Sequence, residues 1–319
     1  MKMLLLNRAE IESLLDFEAL IEQLSSGFTA LSSGQVIAPP RVQLQSPPHG
    51  FLLAMPAFQP GEPLAVKLVT VFAENERRGL PSHQGLICLF DAGTGNPLAV
   101  MDGAYLTAVR TAAAAALSVR LLAREDARVL AIIGAGAQGH AHLQLVALAR
   151  RFDRIRLTSR HLKAAEEMAA SVSGESAILD VVSTPQEAVA DADVVCLCTS
   201  SGTPVIEAEW LSPGTHVTSV GYAPPGSEVP MTLIQRSRLF VETRQAFAPA
   251  PAGCVELAGF EPEYGTELGE VLLDLHPGRQ TADELTLYKS MGHAMEDLVA
   301  ASFVYRKAAQ EGRGLYVDW

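Results

Sequence analysis

The chain has 319 residues, 48% hydrophobic and 19% charged, a composition typical of a folded protein with about two domains. Its 36 acidic residues outnumber 24 lysines and arginines, and the formal net charge is −12. Because nucleic-acid backbones require a basic protein face, we expect no nucleic-acid partner.

The N-terminal segment has only a few apolar residues before its first polar break. A secretion signal needs about 7–15 apolar residues in a row and a membrane helix about 20. The cysteines lack the paired spacing of a zinc site. We therefore expect a cytoplasmic protein with reduced thiols, no metal and no membrane contact. The four cysteines are Cys88, Cys196, Cys198 and Cys254.

The first 118 residues predict a mixed α/β domain. Asn7 to Ser33 has helical periodicity, and the alanine-rich stretch between Arg110 and Arg120 predicts a packed helix. Short apolar runs, separated from one another by proline and glycine, predict the strands of this domain. These runs are Phe51–Met55, Leu64–Phe72, Gly85–Phe90 and Leu98–Met101.

Residues 119–289 predict a doubly wound parallel sheet of the Rossmann type. The apolar run Val129–Ile133 is typical of a strand buried on both faces, and helix-forming sequence follows from His140 to Arg151. Strand and helix signals then alternate, as βαβ units require. The later signals are strands Arg154–Thr158, Val181–Val182, Val194–Cys198, His216–Val220 and Leu239–Glu242, and a helical turn Pro185–Ala190. The stretch from Asp283 to Gln310 is predicted to be helical. The C-terminal residues 290–319 are predicted to complete the first domain with this helix.

The segment between the first strand and helix is a GxGxxG motif at Gly134, Gly136 and Gly139. These glycines permit a tight turn, a close approach to a pyrophosphate and close helix–strand packing, while the helix N-terminus attracts the anion. An ordinary glycine-rich turn is the alternative, but a strand before and a helix after favour dinucleotide binding.

The end of the second strand indicates which dinucleotide. NAD sites usually place an acidic residue there, but this chain has Ser159 and Arg160. An arginine fork and a hydroxyl suit a 2′-phosphate, so NADP(H) is preferred over NAD(H). Arg160 could also be an exposed residue with no ligand.

Lys67 interrupts a strand that is apolar on both faces. A buried ammonium requires an anion, either a protein carboxylate or a substrate. The alternative is a lysine at a strand end that reaches water. With Arg41 and Arg110, Lys67 could form a clamp for a carboxylate, although the spacing does not show that the three meet.

These residues lie in blocks similar to the ornithine cyclodeaminase/μ-crystallin family, over essentially the whole chain. The matching blocks are Met55–Phe58, Lys67–Val69, Gly79–Gly85, Leu89–Pro97, Asp102–Gly103, Leu106–Ala112, Gly134–Gly139 and Leu287–Gly292.

The resemblance implies a homodimer with an N-terminal substrate and dimerisation domain. It implies that Arg41, Lys67 and Arg110 hold the substrate carboxylate, with Lys67 and Arg110 as catalytic residues and Ser82 near the substrate. It also implies a cofactor site, whose candidate residues are Gly134, Gly136, Ala137, Gln138, Gly139, Ser159, Arg160, Thr199 and Gly221.

The sequence departs from the family pattern between Gly221 and Val229, where Ala223 stands in place of the aspartate of true cyclodeaminases. Glu228 could be a displaced substitute. Without that aspartate, the resemblance favours an NAD(P)H-dependent reductase of a cyclic ketimine carboxylate, of the Δ1-pyrroline-2-carboxylate type. The alternatives are ornithine cyclodeaminase, an alanine-dehydrogenase-like or opine-type oxidoreductase, and a non-catalytic NADPH- and small-molecule-binding protein.

Overall fold

The structure is a computed structural model that describes residues 2–172 and 177–318. The chain divides into two compact units. Unit 1 comprises Met1–Arg110 and His293–Trp319, and unit 2 is the continuous stretch Thr111–Gly292. The boundary expected near residue 118 lies inside a helix that carries the chain from one unit into the other.

In the described residues up to Leu122, the chain forms six strands and three α-helices. Asn7 and Asp16 accept backbone hydrogen bonds at the starts of α1 and α2, so the predicted helix from Asn7 to Ser33 is two helices. The strands are β1 (Lys2–Leu6), β2 (Val42–Ser46), β3 (Gly50–Ala57), β4 (Leu64–Val71), β5 (His83–Phe90) and β6 (Pro97–Asp102); the helices are α1 (Arg8–Leu14), α2 (Phe17–Ser32) and α3 (Gly103–Leu122).

Helix α3 contains the alanine-rich stretch. It is long and apolar enough to span a membrane by length and composition alone, but 78% of its most apolar stretch is buried. The alanines at 112–116 are fully buried, as a packed helix requires. Arg110 lies in the middle of α3 rather than at its start.

Unit 2 contains a sheet of eight strands, in which every pairing is parallel. Its order is β13-β12-β14-β11-β10-β7-β8-β9, so the predicted doubly wound α/β architecture is confirmed. The elements are β7 (Val129–Ile133), α4 (Ala137–Val146), β8 (Arg154–Thr158), α5 (Leu162–Ala170), β9 (Ile178–Val181), α6 (Pro185–Val189), β10 (Val194–Leu197), β11 (His216–Ser219), α7 (Met231–Arg236), β12 (Ser237–Val241), β13 (Gly265–Glu267), α8 (Leu268–Leu272) and β14 (Leu285–Lys289).

The predicted helix from Asp283 to Gln310 is wrong in its first part. Strand β14 lies between β11 and β12 and all five of its residues are buried. The helix of this region, α9 (Ala294–Glu311), begins nine residues after Leu285, and strand β15 (Leu315–Asp318) follows it. A buried apolar strand and a buried helix give similar sequence patterns over five residues.

The C-terminal elements complete unit 1. Its sheet has the order β15-β1-β6-β5-β4-β3-β2, in which β15 pairs with β1. Helix α9 packs on β3, β4 and β5 and against α2. One face of this sheet is therefore buried, with Leu53, Met55, Ile87 and Leu89 beneath the helix.

Candidate functional site

The turn after β7 requires glycine at two positions. Gly134 has a φ of +114°, and a Cβ there would lie 2.4 Å from the carbonyl oxygen of Cys198. A Cβ on Gly139 would lie 2.0 Å from the carbonyl oxygen of Gly134. Any side chain at either position would clash with backbone, so the motif holds β7, α4 and the end of β10 in close contact.

The N-terminus of α4 is open. Gly136 is its N-cap residue, no side chain caps the helix, and a Cβ on Gly136 would have no neighbour within 4 Å. The first-turn amides of Ala137 and Gln138 therefore belong to a helix end with no capping side chain. Such an end, with space beside it, fits a phosphate anion.

A cavity of about 510 Å³ adjoins this turn. It lies at the carboxyl ends of β7, β8 and β10, where the strand order reverses, which is the ligand-binding position of this fold. Five of the predicted cofactor residues line it, namely Gly134, Gly136, Ser159, Arg160 and Thr199. The remaining predicted residues are placed by their elements: Ala137, Gln138 and Gly139 form the first turn of α4, and Gly221 follows β11.

The rim of the cavity after β8 carries positive charge. Arg160 is exposed there, beside the half-buried Ser159, and His161 is the N-cap residue of α5. Among the described residues that line the cavity, none is an aspartate or glutamate. The residues present therefore fit the adenosine half of a nicotinamide dinucleotide.

Glu228 ties two loops of unit 2 together. One carboxylate oxygen accepts hydrogen bonds from the amide and hydroxyl of Thr199, at 2.8 and 2.6 Å. The other accepts from the hydroxyl of Ser219 and the amide of Gly221, at 2.8 and 2.7 Å. Because Glu228 is 2% exposed and its two oxygens accept four hydrogen bonds, it is a structural support for these loops.

A buried lysine reinforces the same loops. Lys289 Nζ donates to the carbonyl oxygen of Gly221 at 2.6 Å and lies 3.0 Å from Oε1 of Glu256. Sequence reasoning missed this role, since Lys289 ends a strand that was predicted to be helical. The contacts hold Gly221, a predicted cofactor residue, from both sides.

Two of the predicted substrate cations meet in unit 1, on the helix-covered face of the sheet. Lys67 on β4 lies 2.8 and 3.0 Å from the two carboxylate oxygens of Asp297 on α9. Arg110 Nε donates to Asp297 Oδ1 at 3.0 Å, and its Nη1 donates to Glu296 Oε2 at 2.8 Å. Lys67 and Arg110 are 3% and 2% exposed, so neither reaches water as a surface cation would.

Burial and charge act against each other in this cluster. Burial, and then the neighbouring charge of Arg110, lower the pKa of Lys67 to about 8, while Asp297 opposes the shift. Burial would raise the pKa of Asp297, but Arg110 and Lys67 outweigh it and hold that pKa below its usual value. Removing either partner would leave an uncompensated buried charge.

The structure places the other two predicted substrate residues, Arg41 and Ser82, just before strands β2 and β5. Arg41 precedes β2 and is close enough for its charge to lower the pKa of Lys67. Ser82 precedes β5, and its hydroxyl lies 3.2 Å from Nδ1 of His83. Ile87 pairs with Lys67, so Ser82 lies five residues, or about 16 Å, along the strand from the level of Lys67.

Sequence reasoning missed Glu296 and Asp297. They lie in the first turn of α9, where acidic residues are common because they favour the helix dipole, so their presence indicated no site. The backbone amide of His293 donates to Glu296 Oε1 at 2.7 Å, which completes the cap. Only the fold brings Asp297 to a lysine 230 residues earlier in the chain.

The fold and these residues define a class, the dinucleotide-binding proteins with a Rossmann-type unit and a second unit that carries buried cations. The profile of the ornithine cyclodeaminase/mu-crystallin family matches residues 1–312. The chain belongs to this family.

Three relatives show how far the similarity extends. The ketimine reductase mu-crystallin of Mus musculus is 37% identical over 288 residues, covering 89% of this chain and 90% of its own. The Thermococcus litoralis Δ1-pyrroline-2-carboxylate reductase, solved in complex with NADH and L-proline, is 32% identical with a TM-score of 0.92, covering 99% and 100% of the two chains. An archaeal alanine dehydrogenase dimer with bound NAD is 28% identical with a TM-score of 0.88, covering 100% of both chains.

Proposed function

We propose that the protein is an NAD(P)H-dependent reductase of a cyclic ketimine carboxylate, of the Δ1-pyrroline-2-carboxylate type, and forms L-proline or a ring homologue. The observation that carries this proposal is the buried cation pair of Lys67 and Arg110, held by Asp297 and Glu296. Because Asp297 and Glu296 already balance the two charges, the cations would hold a substrate carboxylate as preorganised hydrogen-bond donors rather than by net charge. The mouse relative, a ketimine reductase, and the Thermococcus relative, a Δ1-pyrroline-2-carboxylate reductase, agree with this substrate class.

The cations act by binding and orienting the substrate. The Lys67 ammonium has three N–H donors, of which one donates to Asp297 Oδ1, while the 2.8 Å approach to Oδ2 is an ion-pair contact; donors of this ammonium would therefore serve a substrate oxygen. A reduced nicotinamide, when bound, supplies the hydride for the imine carbon. With the carboxylate held, the adjacent C=N carbon has a fixed position, and this orientation lowers the barrier to reduction.

Cyclodeamination is disfavoured by the loop from Gly221 to Val229. The residue at the position of the cyclodeaminase aspartate is Ala223, which has no group to move a proton. Glu228 does not substitute for it, because its carboxylate is buried and already bonded to Thr199, Ser219 and Gly221. Reduction of an imine that is already protonated needs no carboxylate there.

NADP(H) is the preferred cofactor in this proposal. Ser159 and Arg160 supply a hydroxyl and a guanidinium at the place where the ribose 2′ position is read. A 2′-phosphate would meet positive charge there, and a 2′-hydroxyl would find no carboxylate among the described residues of the lining.

The protein acts as a homodimer in this proposal, through the second face of the unit 1 sheet. Strand pairing places Val42, Ala54, Leu68 and Leu86 in one row on that face. Val42, Leu44 and Leu86 are 64%, 68% and 50% exposed, and large apolar side chains exposed together on one sheet face are typical of an interface. A second copy would pack sheet against sheet. The archaeal alanine dehydrogenase relative is a dimer.

The test of the activity is oxidation of NADPH with Δ1-pyrroline-2-carboxylate, followed by the loss of reduced-nicotinamide absorbance. We expect turnover by the wild type and, with Lys67→Met, a loss of at least about 100-fold in kcat/KM with unchanged NADPH affinity. Formation of L-proline and ammonia from L-ornithine, without imine reduction, would contradict the proposal. Tight NADPH binding with no turnover of any imine carboxylate would also contradict it.

A further inference from the structure

We propose that Asp297 is a positioning residue of the substrate site, which holds the Lys67 ammonium in place and keeps it charged at the pH of catalysis. This inference rests on the proposed function, since it assigns Lys67 to the substrate carboxylate. Neither the family resemblance nor the glycine motif pointed to Asp297.

The geometry places Asp297 between the two cations. Its Oδ1 accepts from both Lys67 Nζ and Arg110 Nε, each at 3.0 Å, while Oδ2 lies 2.8 Å from Lys67 Nζ. Glu296, the adjacent residue, contacts Arg110 and caps α9 through the amide of His293. The two acidic residues therefore have different tasks, and only Asp297 contacts Lys67 among the described ion pairs.

The helix makes this position precise. Asp297 is 1% exposed and lies in the first turn of α9, which packs on β4. A carboxylate fixed by a packed helix and a second hydrogen-bond donor has little freedom to move. The Lys67 side chain, which is flexible in solution, is thereby aimed in one direction.

The charges that face Lys67 determine the effect of losing Asp297. Arg110 on α3 and Arg41 before β2 both disfavour the ammonium, as does burial, and Asp297 on α9 favours it. Glu296 lies on the far side of Arg110 and acts on that residue. Without the Asp297 charge, Lys67 would lose its proton at a lower pH, and substrate binding would fail at that lower pH.

The experiment compares Asp297→Asn with its neighbour Glu296→Gln as the matched control, using kcat/KM for the imine from pH 6 to 10. We expect the alkaline limb of Asp297→Asn to move at least about one pH unit lower, and that of Glu296→Gln to stay at the wild-type position. Asp297→Glu, which retains the charge, should restore the wild-type limb. Titration of the substrate is common to all variants and cancels in the comparison. An equal loss at every pH would make Asp297 merely structural and overturn the inference.

A second measurement does not depend on turnover. The chain has five lysines, so selective ¹³C or ¹⁵N labelling gives a small set of signals, and Lys67→Met assigns the one of interest. We expect the Lys67 titration to move to lower pH in Asp297→Asn, and an unmoved titration would refute the inference even if the imine proves not to be the substrate. A moved titration without turnover by the wild type would instead refute the proposed function alone.

A double variant tests whether a folding failure of Asp297→Asn arises from the unpaired charge of Lys67. If Asp297→Asn does not fold, Lys67→Met/Asp297→Asn should recover the folded state, because it removes the buried charge left behind. Failure of the double variant to fold, with Lys67→Met folded, would show that Asp297 serves Arg110 or the helix and not Lys67.

Discussion

In the proposed function, cofactor choice depends on Arg160. It is exposed after β8, at the rim of the nucleotide cavity. We expect Arg160→Asp to shift the ratio of Kd for NADPH and NADH towards NADH by about 1–3 kcal/mol, the scale of a charged hydrogen bond. Isothermal titration with both cofactors measures this shift. Arg151→Asp, at another exposed arginine of unit 2, is the matched control. An unchanged ratio in Arg160→Asp would remove this residue from the cofactor site.

Residue by residue, the sequence predicted some chemistry and missed other parts for a physical reason. Lys67 was singled out because a charge in an apolar strand is costly without an anion. Its partner Asp297 was not found, since an acidic residue in a first helical turn has an ordinary local explanation. A local sequence pattern reveals that a charged side chain will be buried at an energetic cost. It does not reveal which distant residue offsets that cost.

At the scale of one element, helix α4 contains a buried histidine about one turn after the glycine motif. His142 is fully buried and its Nδ1 lies 2.8 Å from the carbonyl oxygen of Gln138. Burial lowers the pKa of His142 to about 4. The folded state thus binds this proton less readily than the unfolded chain, and stability present above pH 6.5 is lost as the pH falls towards 4.

This linkage predicts a measurable acid sensitivity. Between pH 7.5 and 5, protonation of His142 in the unfolded chain should cost the folded state about 2 kcal/mol, which His142→Leu should remove from the pH dependence. Urea unfolding of both proteins at the two pH values gives the difference. His140→Leu, at an exposed ring on the same helix, is the control and should keep the wild-type loss. A wild-type loss retained in His142→Leu would show that the ring is protonated in the folded protein.

Strands and helices were predictable where their signals are local. Strand β7 and the turn to α4 were found because an apolar run ends in glycines that the backbone geometry requires. Strand β14 was missed because a short apolar run fits a buried helix equally well. Strand β1 was missed for another reason: its neighbours β6 and β15 lie about 95 and 310 residues further along the chain.

At the scale of the whole molecule, the exposed apolar face of the unit 1 sheet predicts the oligomeric state. We expect the wild type to be a dimer by light scattering after size exclusion, and Leu86→Glu to be a folded monomer. A glutamate in the centre of a sheet–sheet interface would bury an unpaired charge. Leu275→Glu alters a leucine that is 64% exposed in unit 2, and it should leave the dimer intact. A monomeric wild type, or a dimeric Leu86→Glu, would refute the proposed interface.

The closure of the unit 1 sheet by β15 sets an order of events during synthesis. Leu4 on β1 pairs with Tyr316 on β15, so these two neighbouring strands are separated in the chain by all of unit 2. Unit 2 is one uninterrupted stretch, so its sheet requires no residue that is synthesised after Gly292. Until α9 has been synthesised, the strands of unit 1 lack the helix that covers them, and Lys67 lacks its partner Asp297. Unit 1 contains the residues that precede unit 2, yet we expect it to complete its folding after unit 2.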